Sequence, residues 1–210
     1  MRIKICGLFR DEDIDYVNEA RADYAGFIFA KSSREVSPPL AQYLRFRLAD
    51  GITPVGVFVN APIALITELY HNGVISIAQL HGDEDESYIA QLKKSSKTSI
   101  RQTSIPPIKV IKTVLFGDES FGRQIKKLAP VADYFLIDSG AGSGKTFDWK
   151  RLGSVKFPKP WFLAGGINIK NIDQAMELKP FAIDVSSGAE TDGVKDRKKI
   201  LELVKTLRQG

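Results

Sequence analysis

Cysteine is close to absent from this chain of 210 residues, which holds a single one, Cys6. One thiol closes no internal disulfide and builds no cysteine-rich metal site. Histidine is nearly as scarce: His71 and His81 stand too far apart in sequence to make a ligand cluster, so structural zinc is not expected. Long hydrophobic runs are missing too. The longest apolar stretches have the length of strands and fall well short of the roughly 20 residues that a membrane helix needs. The start of the chain turns polar at Asp11-Glu12-Asp13, without the apolar core or cleavage site of a signal peptide. A soluble, cytoplasmic protein with no membrane partner is the expectation. Charge of one sign is only modestly in excess, with 30 Lys and Arg against 25 Asp and Glu for a net +5, and the basic residues are dispersed among acids. That pattern reads as an ordinary basic surface, or as mild steering of an anionic metabolite, and not as a stripe for nucleic acid.

Hydrophobic residues make up 43% of the chain, enough for one sizeable core. They fall into strand-like runs that alternate with amphipathic helix-like segments. The runs predict strands near Arg2–Cys6, Tyr24–Phe29, Pro54–Val59, Ile75–Leu80, Ile108–Val114, Tyr134–Asp138, Trp161–Ala164 and Phe181–Val185. Helices are expected near Asp11–Arg21, Pro39–Leu48, Pro62–His71, Glu84–Lys94, Glu119–Leu128, Phe147–Leu152, Ile169–Leu178 and Lys195–Leu207, the sixth being short. Strands apolar on both faces and separated by helices lie parallel under a helical cover. Eight such units favour closure into a barrel over an open sheet. Residues 1–210 therefore read as one α/β domain, a (β/α)8 TIM barrel of eight parallel strands, compact against the about 250 residues usual for that fold. Ala22-Asp23-Tyr24 before the second strand and Ala132-Asp133-Tyr134 before the sixth form a faint internal echo, as half-barrel duplication or coincidence leaves.

In such a barrel, polar residues at the C-terminal ends of strands converge on one mouth. The candidates there are Cys6, Arg34, Asn60, His81, Lys112, Asp138, the Gly140–Lys145 loop, Gly165-Gly166, Asp184 and Ser186-Ser187-Gly188. Two neighbouring strands ending in Gly-Gly and Ser-Ser-Gly expose backbone N–H groups where a phosphate monoester can sit. Cys6 is either an inert buried hydrophobe or, with Asp138 opposite, half of an acid/base pair for moving protons on a small phosphorylated molecule. Asp138 alone reads equally as a turn cap. Gly140-Ala141-Gly142-Ser143-Gly144-Lys145-Thr146 lacks the first glycine of a triphosphate-binding loop, since Ser139 stands in its place, and fits a lid better. Arg34 either grips a carboxylate or pairs with Glu35 or another acid. His81 suits positioning more than proton transfer, and Asp184 either binds groups inside the barrel or holds sugar hydroxyls.

Taken in order, Lys4-Ile5-Cys6-Gly7, Gly56-Val57-Phe58-Val59-Asn60, Gln79-Leu80-His81-Gly82, Gly142-Ser143-Gly144-Lys145-Thr146-Phe147-Asp148-Trp149, Leu163-Ala164-Gly165-Gly166 and Asp184-Val185-Ser186-Ser187-Gly188-Ala189-Glu190 resemble the phosphoribosylanthranilate isomerase family of tryptophan biosynthesis. The resemblance runs from the first strand to the last. It implies a barrel without cofactor that performs an Amadori rearrangement of a small phosphosugar-anthranilate substrate. Asp138 would then match the general acid and Cys6 the general base. Arg34 would match the carboxylate-binding residue, and Gly165, Gly166, Ser186, Ser187 and Gly188 the phosphate site. The sequence leaves monomer and homodimer equally open. The chain departs from the family pattern in the first loop, where Gly7-Leu8 leads into Phe9-Arg10 in place of a threonine or lysine. The neighbouring reading is a histidine-pathway isomerase or a bifunctional relative; those enzymes resemble a design with aspartate at both catalytic positions, so Cys6 argues for the anthranilate substrate. A non-catalytic phosphometabolite-binding barrel is the reading from another class.

Overall fold

Residues of one parity along each apolar run face inward, and the barrel follows from that alternation. The computed structural model of the chain describes residues 1–100, 103–117, 120–138 and 149–209. Strands β1 (Arg2–Cys6), β2 (Tyr24–Ile28), β3 (Thr53–Phe58), β4 (Ile77–Leu80), β5 (Lys109–Leu115), β6 (Tyr134–Asp138), β7 (Trp161–Leu163) and β8 (Ala182–Val185) pair in parallel with their sequence neighbours. β1 also pairs with β8, setting Lys4 beside Asp184 and closing the barrel. Helices α1 (Asp11–Ala20), α2 (Pro38–Arg47), α3 (Ile63–His71), α4 (Glu86–Ser96), α5 (Phe121–Leu128), α6 (Ile172–Glu177) and α7 (Arg197–Gln209) occupy the connections. No helix among the described residues is long and apolar enough to cross a membrane.

Two apolar layers result. The larger packs outward-facing strand residues such as Ile3, Ile5, Val110 and Ile183 against helix residues such as Val17, Leu44 and Leu203. The smaller fills the barrel: Tyr24, Val55, Ile77, Ile111, Leu136, Phe162 and Ala182 come from seven strands. Tyr24 and Tyr134 both meet Phe162 edge-to-face, with centroids 5.4 and 5.8 Å away, the geometry the ring quadrupole favours. The two Ala-Asp-Tyr echoes do the same work. Asp23 Oδ2 accepts a hydrogen bond from the Ile3 N–H, and Asp133 Oδ2 accepts one from the Val110 N–H, so each carboxylate ties its own strand to the preceding one.

Departures from the sequence expectation have local causes. α4 begins at Glu86, after Asp85 caps the Tyr88 N–H, because Glu84 is committed elsewhere. α6 begins at Ile172, because Asn168 accepts from the Lys170 N–H and Asn171 from the Asn168 N–H, folding those residues into a turn. A short hairpin, Thr98–Ile100 with Thr103–Ile105, stands between α4 and β5, and another, Glu190–Thr191 with Val194–Lys195, delays α7 to Arg197. The short sixth helix is a 3-10 segment, Trp149–Ser154. Phe147 and Asp148 lie outside the described residues.

Candidate active site

Cys6 is the last residue of β1 and faces inward with Lys4, two residues below it. Lys4 Nζ donates to both carboxylate oxygens of Asp184 on β8, each at 3.0 Å, and Lys4 is fully buried. Burial works against the lysine's charge, but Asp184 and then Cys6 outweigh it and hold the ammonium above its ordinary range. The same burial pushes the Cys6 thiol up, against the pull of Lys4. Beside it on β2 stands its register partner Gly26, where a Cβ would lie 2.9 Å from Cys6 Sγ. The glycine leaves the thiol its place.

Asp138 ends β6 with the same inward parity as Leu136. His81, just past β4, brings Nε2 to 3.6 Å from Asp138 Oδ2. Its other ring nitrogen, Nδ1, lies 3.3 Å from the Nε2 amide of Gln79. Burial, helped by the positive charges of Lys4 and Lys112, lowers the His81 pKa despite Asp138 and Asp184, which favours the neutral ring.

The Gly-Gly and Ser-Ser-Gly turns adjoin each other. Gly165 and Gly166 have φ of 98° and 67°, a left-handed run that glycine adopts without strain. Gly188 approaches so closely that a Cβ there would lie 1.9 Å from the Ile167 carbonyl oxygen. Among the described residues, the N–H groups of Gly165, Gly166, Ser187 and Gly188 have no acceptor. Four donors in two touching turns are suited to an anion.

Arg34 lies over the Cys6-Gly7 turn, its Cδ 2.9 Å from where a Gly7 Cβ would be. One guanidinium nitrogen, Nη1, donates to Ser186 Oγ at 2.5 Å and to Glu190 Oε1 at 2.8 Å. Nε is buried and has no hydrogen-bond partner among the described residues. Arg34 therefore pairs with an acid, Glu190, and at the same time keeps its Nε edge unused. Lys195, almost fully buried, binds the same Glu190 oxygen and donates to the Ser186 carbonyl at 3.2 Å. Burial lowers its pKa, with Glu190 opposing. The unusual Phe9-Arg10 pair is absorbed structurally. Both N–H groups donate to Asp13 Oδ2, and Arg10 Nη2 donates to the Lys195 carbonyl at 3.0 Å, fastening the first loop to the last hairpin.

Other rim candidates lie apart. Lys112 has the outward parity of Val110 and Val114, and it donates to Glu84 Oε2 at 2.9 Å and to the Gly82 carbonyl at 2.5 Å. Asn60 gives its N–H to Glu84 and accepts from the Asp83 N–H. Both serve the loops around a cleft of about 640 Å³ that His81 and Thr113 also line. The Gly140–Lys145 loop lies outside the described residues. Sequence reasoning gave no role to Lys4, Gln79, Glu190 or Lys195. For Lys4 the signal was a charge inside an apolar strand, in register with Cys6; Lys195, inside a run of charges, gave none. Among the described residues no group of three or more His, Cys, Asp or Glu could hold a metal ion.

A family model described as N-(5'-phosphoribosyl)anthranilate (PRA) isomerase matches residues 3–206. The chain belongs to this family. Within it, the PRA isomerase of Endomicrobium trichonymphae is 45% identical over 213 residues, covering 99% of this chain and 98% of that protein. The solved phosphoribosyl anthranilate isomerase of Thermotoga maritima superposes with a TM-score of 0.83 at 32% identity, covering each chain in full. A further solved phosphoribosyl anthranilate isomerase, in complex with reduced 1-(o-carboxyphenylamino)-1-deoxyribulose 5-phosphate, gives 0.79 at 30% identity and also covers both chains in full. Against that PRA isomerase frame, Cys6, Asp138, Arg34, the two small-residue turns and the Lys4–Asp184 pair occupy the C-terminal end of one barrel.

Proposed function

We infer that this PRA isomerase converts N-(5'-phosphoribosyl)anthranilate into 1-(2-carboxyphenylamino)-1-deoxyribulose 5-phosphate, the isomerase step of tryptophan biosynthesis, with Cys6 and Asp138 as its proton-transferring pair. The observation that carries the assignment is the placing of both side chains at the inward ends of β1 and β6, beside an anion-ready pair of turns.

Asp138, as general acid, gives a proton to the furanose ring oxygen. The C1–O bond breaks and leaves an iminium between C1 and the anthranilate nitrogen. Cys6 as thiolate then takes the C2 proton, and the C2–H electron pair moves into the iminium to form an enolamine. Loss of the enol O–H proton and protonation at C1 give the ketone. The iminium itself accepts the electron pair, so the step is complete without a cofactor. It also explains a buried base: Cys6 is favoured as thiol in the free protein, and the positive charge of the newly formed iminium draws it to the thiolate when that form is needed.

Gly165, Gly166, Ser187 and Gly188 N–H groups, with Ser186 at the same turn, hold the phosphate. Arg34 presents its Nε edge to the anthranilate carboxylate, the side-on geometry of a bidentate pair, while Glu190 and Ser186 fix the opposite nitrogen. His81 orients Asp138, and Asp184 sits at the sugar level with Lys4. Every group named comes from one chain, which is consistent with a monomer or a homodimer as the active form. A lone unpaired thiol stays reduced in the cytoplasm, where we place the protein. Consumption of freshly generated N-(5'-phosphoribosyl)anthranilate, followed by fluorescence, is the test, with the histidine-pathway aminoaldose as a second substrate. Turnover of the anthranilate compound alone is expected; ligand binding with no turnover of either would establish a non-catalytic barrel.

A further inference from the structure

Gln79 is a costly residue to keep where it is. It faces into the barrel from β4 with 2% of its surface exposed, and its Oε1 has no hydrogen-bond partner among the described residues. A buried amide with an unpaired carbonyl destabilises its surroundings, and an apolar side chain of the same length would not. The contact that its amide makes is Nε2 to His81 Nδ1 at 3.3 Å, and on the far side of that ring Nε2 points toward Asp138 Oδ2 at 3.6 Å.

In the amide orientation of the structure Nε2 faces the ring, and an amide N–H donates, which assigns the unprotonated imidazole nitrogen to Nδ1. The proton of a neutral His81 is thereby placed on Nε2, toward Asp138. We propose that Gln79 is a positioning residue for the general acid: it fixes His81 in the Nε2–H tautomer, whose N–H donates to the Asp138 carboxylate as that group surrenders its proton to the substrate. This rests on the reading of Asp138 as the acid. The bond is weak against a protonated Asp138 and strong against the carboxylate, so it stabilises the charge that develops during ring opening and adds little to substrate binding. A separation of 3.6 Å in the free protein shortens as that charge forms. The groups bearing on His81 are Asp138 from β6, Asp184 from β8, Lys4 from β1 and Lys112 from β5. Burial and the two lysines favour the neutral ring, the state in which a tautomer exists to be chosen.

The test is nitrogen NMR of the imidazole rings in the ligand-free protein, with turnover and thermal unfolding measured on Gln79→Met and Gln79→Glu. The chain has two histidines, and a His71→Asn variant assigns the signals. Expected are an Nε2–H pattern for His81 in the wild type and loss of that single tautomer in Gln79→Met. In that variant kcat should fall about tenfold at nearly constant KM, part of the roughly 10²–10⁴-fold a general acid contributes, with no loss of thermal stability. Gln79→Glu, which can only accept, should move the proton to Nδ1 or protonate the ring and lower kcat further. An Nδ1–H pattern in the wild type, or a Gln79→Met protein with unchanged kcat, overturns the proposal. Wild-type turnover, measured in parallel, reports separately on whether the chain is an isomerase at all.

Discussion

Lys4 Nζ lies 3.0 Å from each carboxylate oxygen of Asp184, and the pair forms a buried floor two residues beneath Cys6. Neither charge is tolerable there alone. Removing one partner of a buried ion pair typically costs about 3–5 kcal/mol, so Lys4→Met should lower the free energy of urea unfolding by roughly that amount. The double variant Lys4→Met with Asp184→Leu should recover most of it, because both charges then leave together. A single variant as stable as the wild type would show the pair to be solvated.

Alkaline pH should expose the same floor. The folded protein holds the Cys6 proton more tightly than the unfolded chain does, since burial raises the thiol from its ordinary 9.0. Between the two values the folded state binds more protons, and stability falls as pH rises. Lys4, raised from 10.5, adds a loss of the same sign at higher pH. Unfolding midpoints should therefore decline from about pH 9 upward, and Cys6→Ala should delay the onset of that decline. A wild-type midpoint that stays level to pH 11 contradicts both assignments.

Arg34 tests the carboxylate grip. Hydrogen bonds to charged groups contribute about 1.5–3 kcal/mol each, and 1.4 kcal/mol is tenfold in affinity. Arg34→Ala should weaken binding of the reduced product analogue by roughly ten- to a hundredfold, and inorganic phosphate, felt only through the Ser186 contact, by much less. Glu190→Gln should give a smaller loss of the same kind by loosening Nη1. Equal affinity of wild type and Arg34→Ala for the carboxylate-bearing ligand would remove Arg34 from the site.

Gly188→Ala tests the phosphate turns. A Cβ placed 1.9 Å from the Ile167 carbonyl oxygen forces backbone to move, and backbone is what binds the phosphate. Binding of phosphate and of product analogue should fall together, by calorimetry. Unchanged phosphate affinity would place the anion elsewhere.

The barrel was legible because its strands are apolar on both faces, as in Tyr134–Ile137, and alternate with amphipathic helical segments. The rim was legible for residues that end a strand, such as Cys6 and Asp138. What escaped were partnerships across the chain. Nothing near Arg34 says that Glu190 will hold it, and nothing in Gln79-Leu80-His81 says that the amide and the ring will share a face until alternation is combined with the His81 to Asp138 approach. Lys112 was misplaced for a related reason: its strand has charged residues of both parities, Lys109 and Lys112, and only packing shows which one faces outward against Glu84.

The most direct test of the acid/base pair is turnover of N-(5'-phosphoribosyl)anthranilate by Cys6→Ala and by Asp138→Asn, with binding of the reduced product analogue measured on the same preparations. Each variant should lose roughly 10²–10⁴-fold or more in kcat and bind the analogue nearly as the wild type does. Near-wild-type turnover in either variant, or loss of binding in both by proteins that remain folded, would contradict the roles of Cys6 and Asp138.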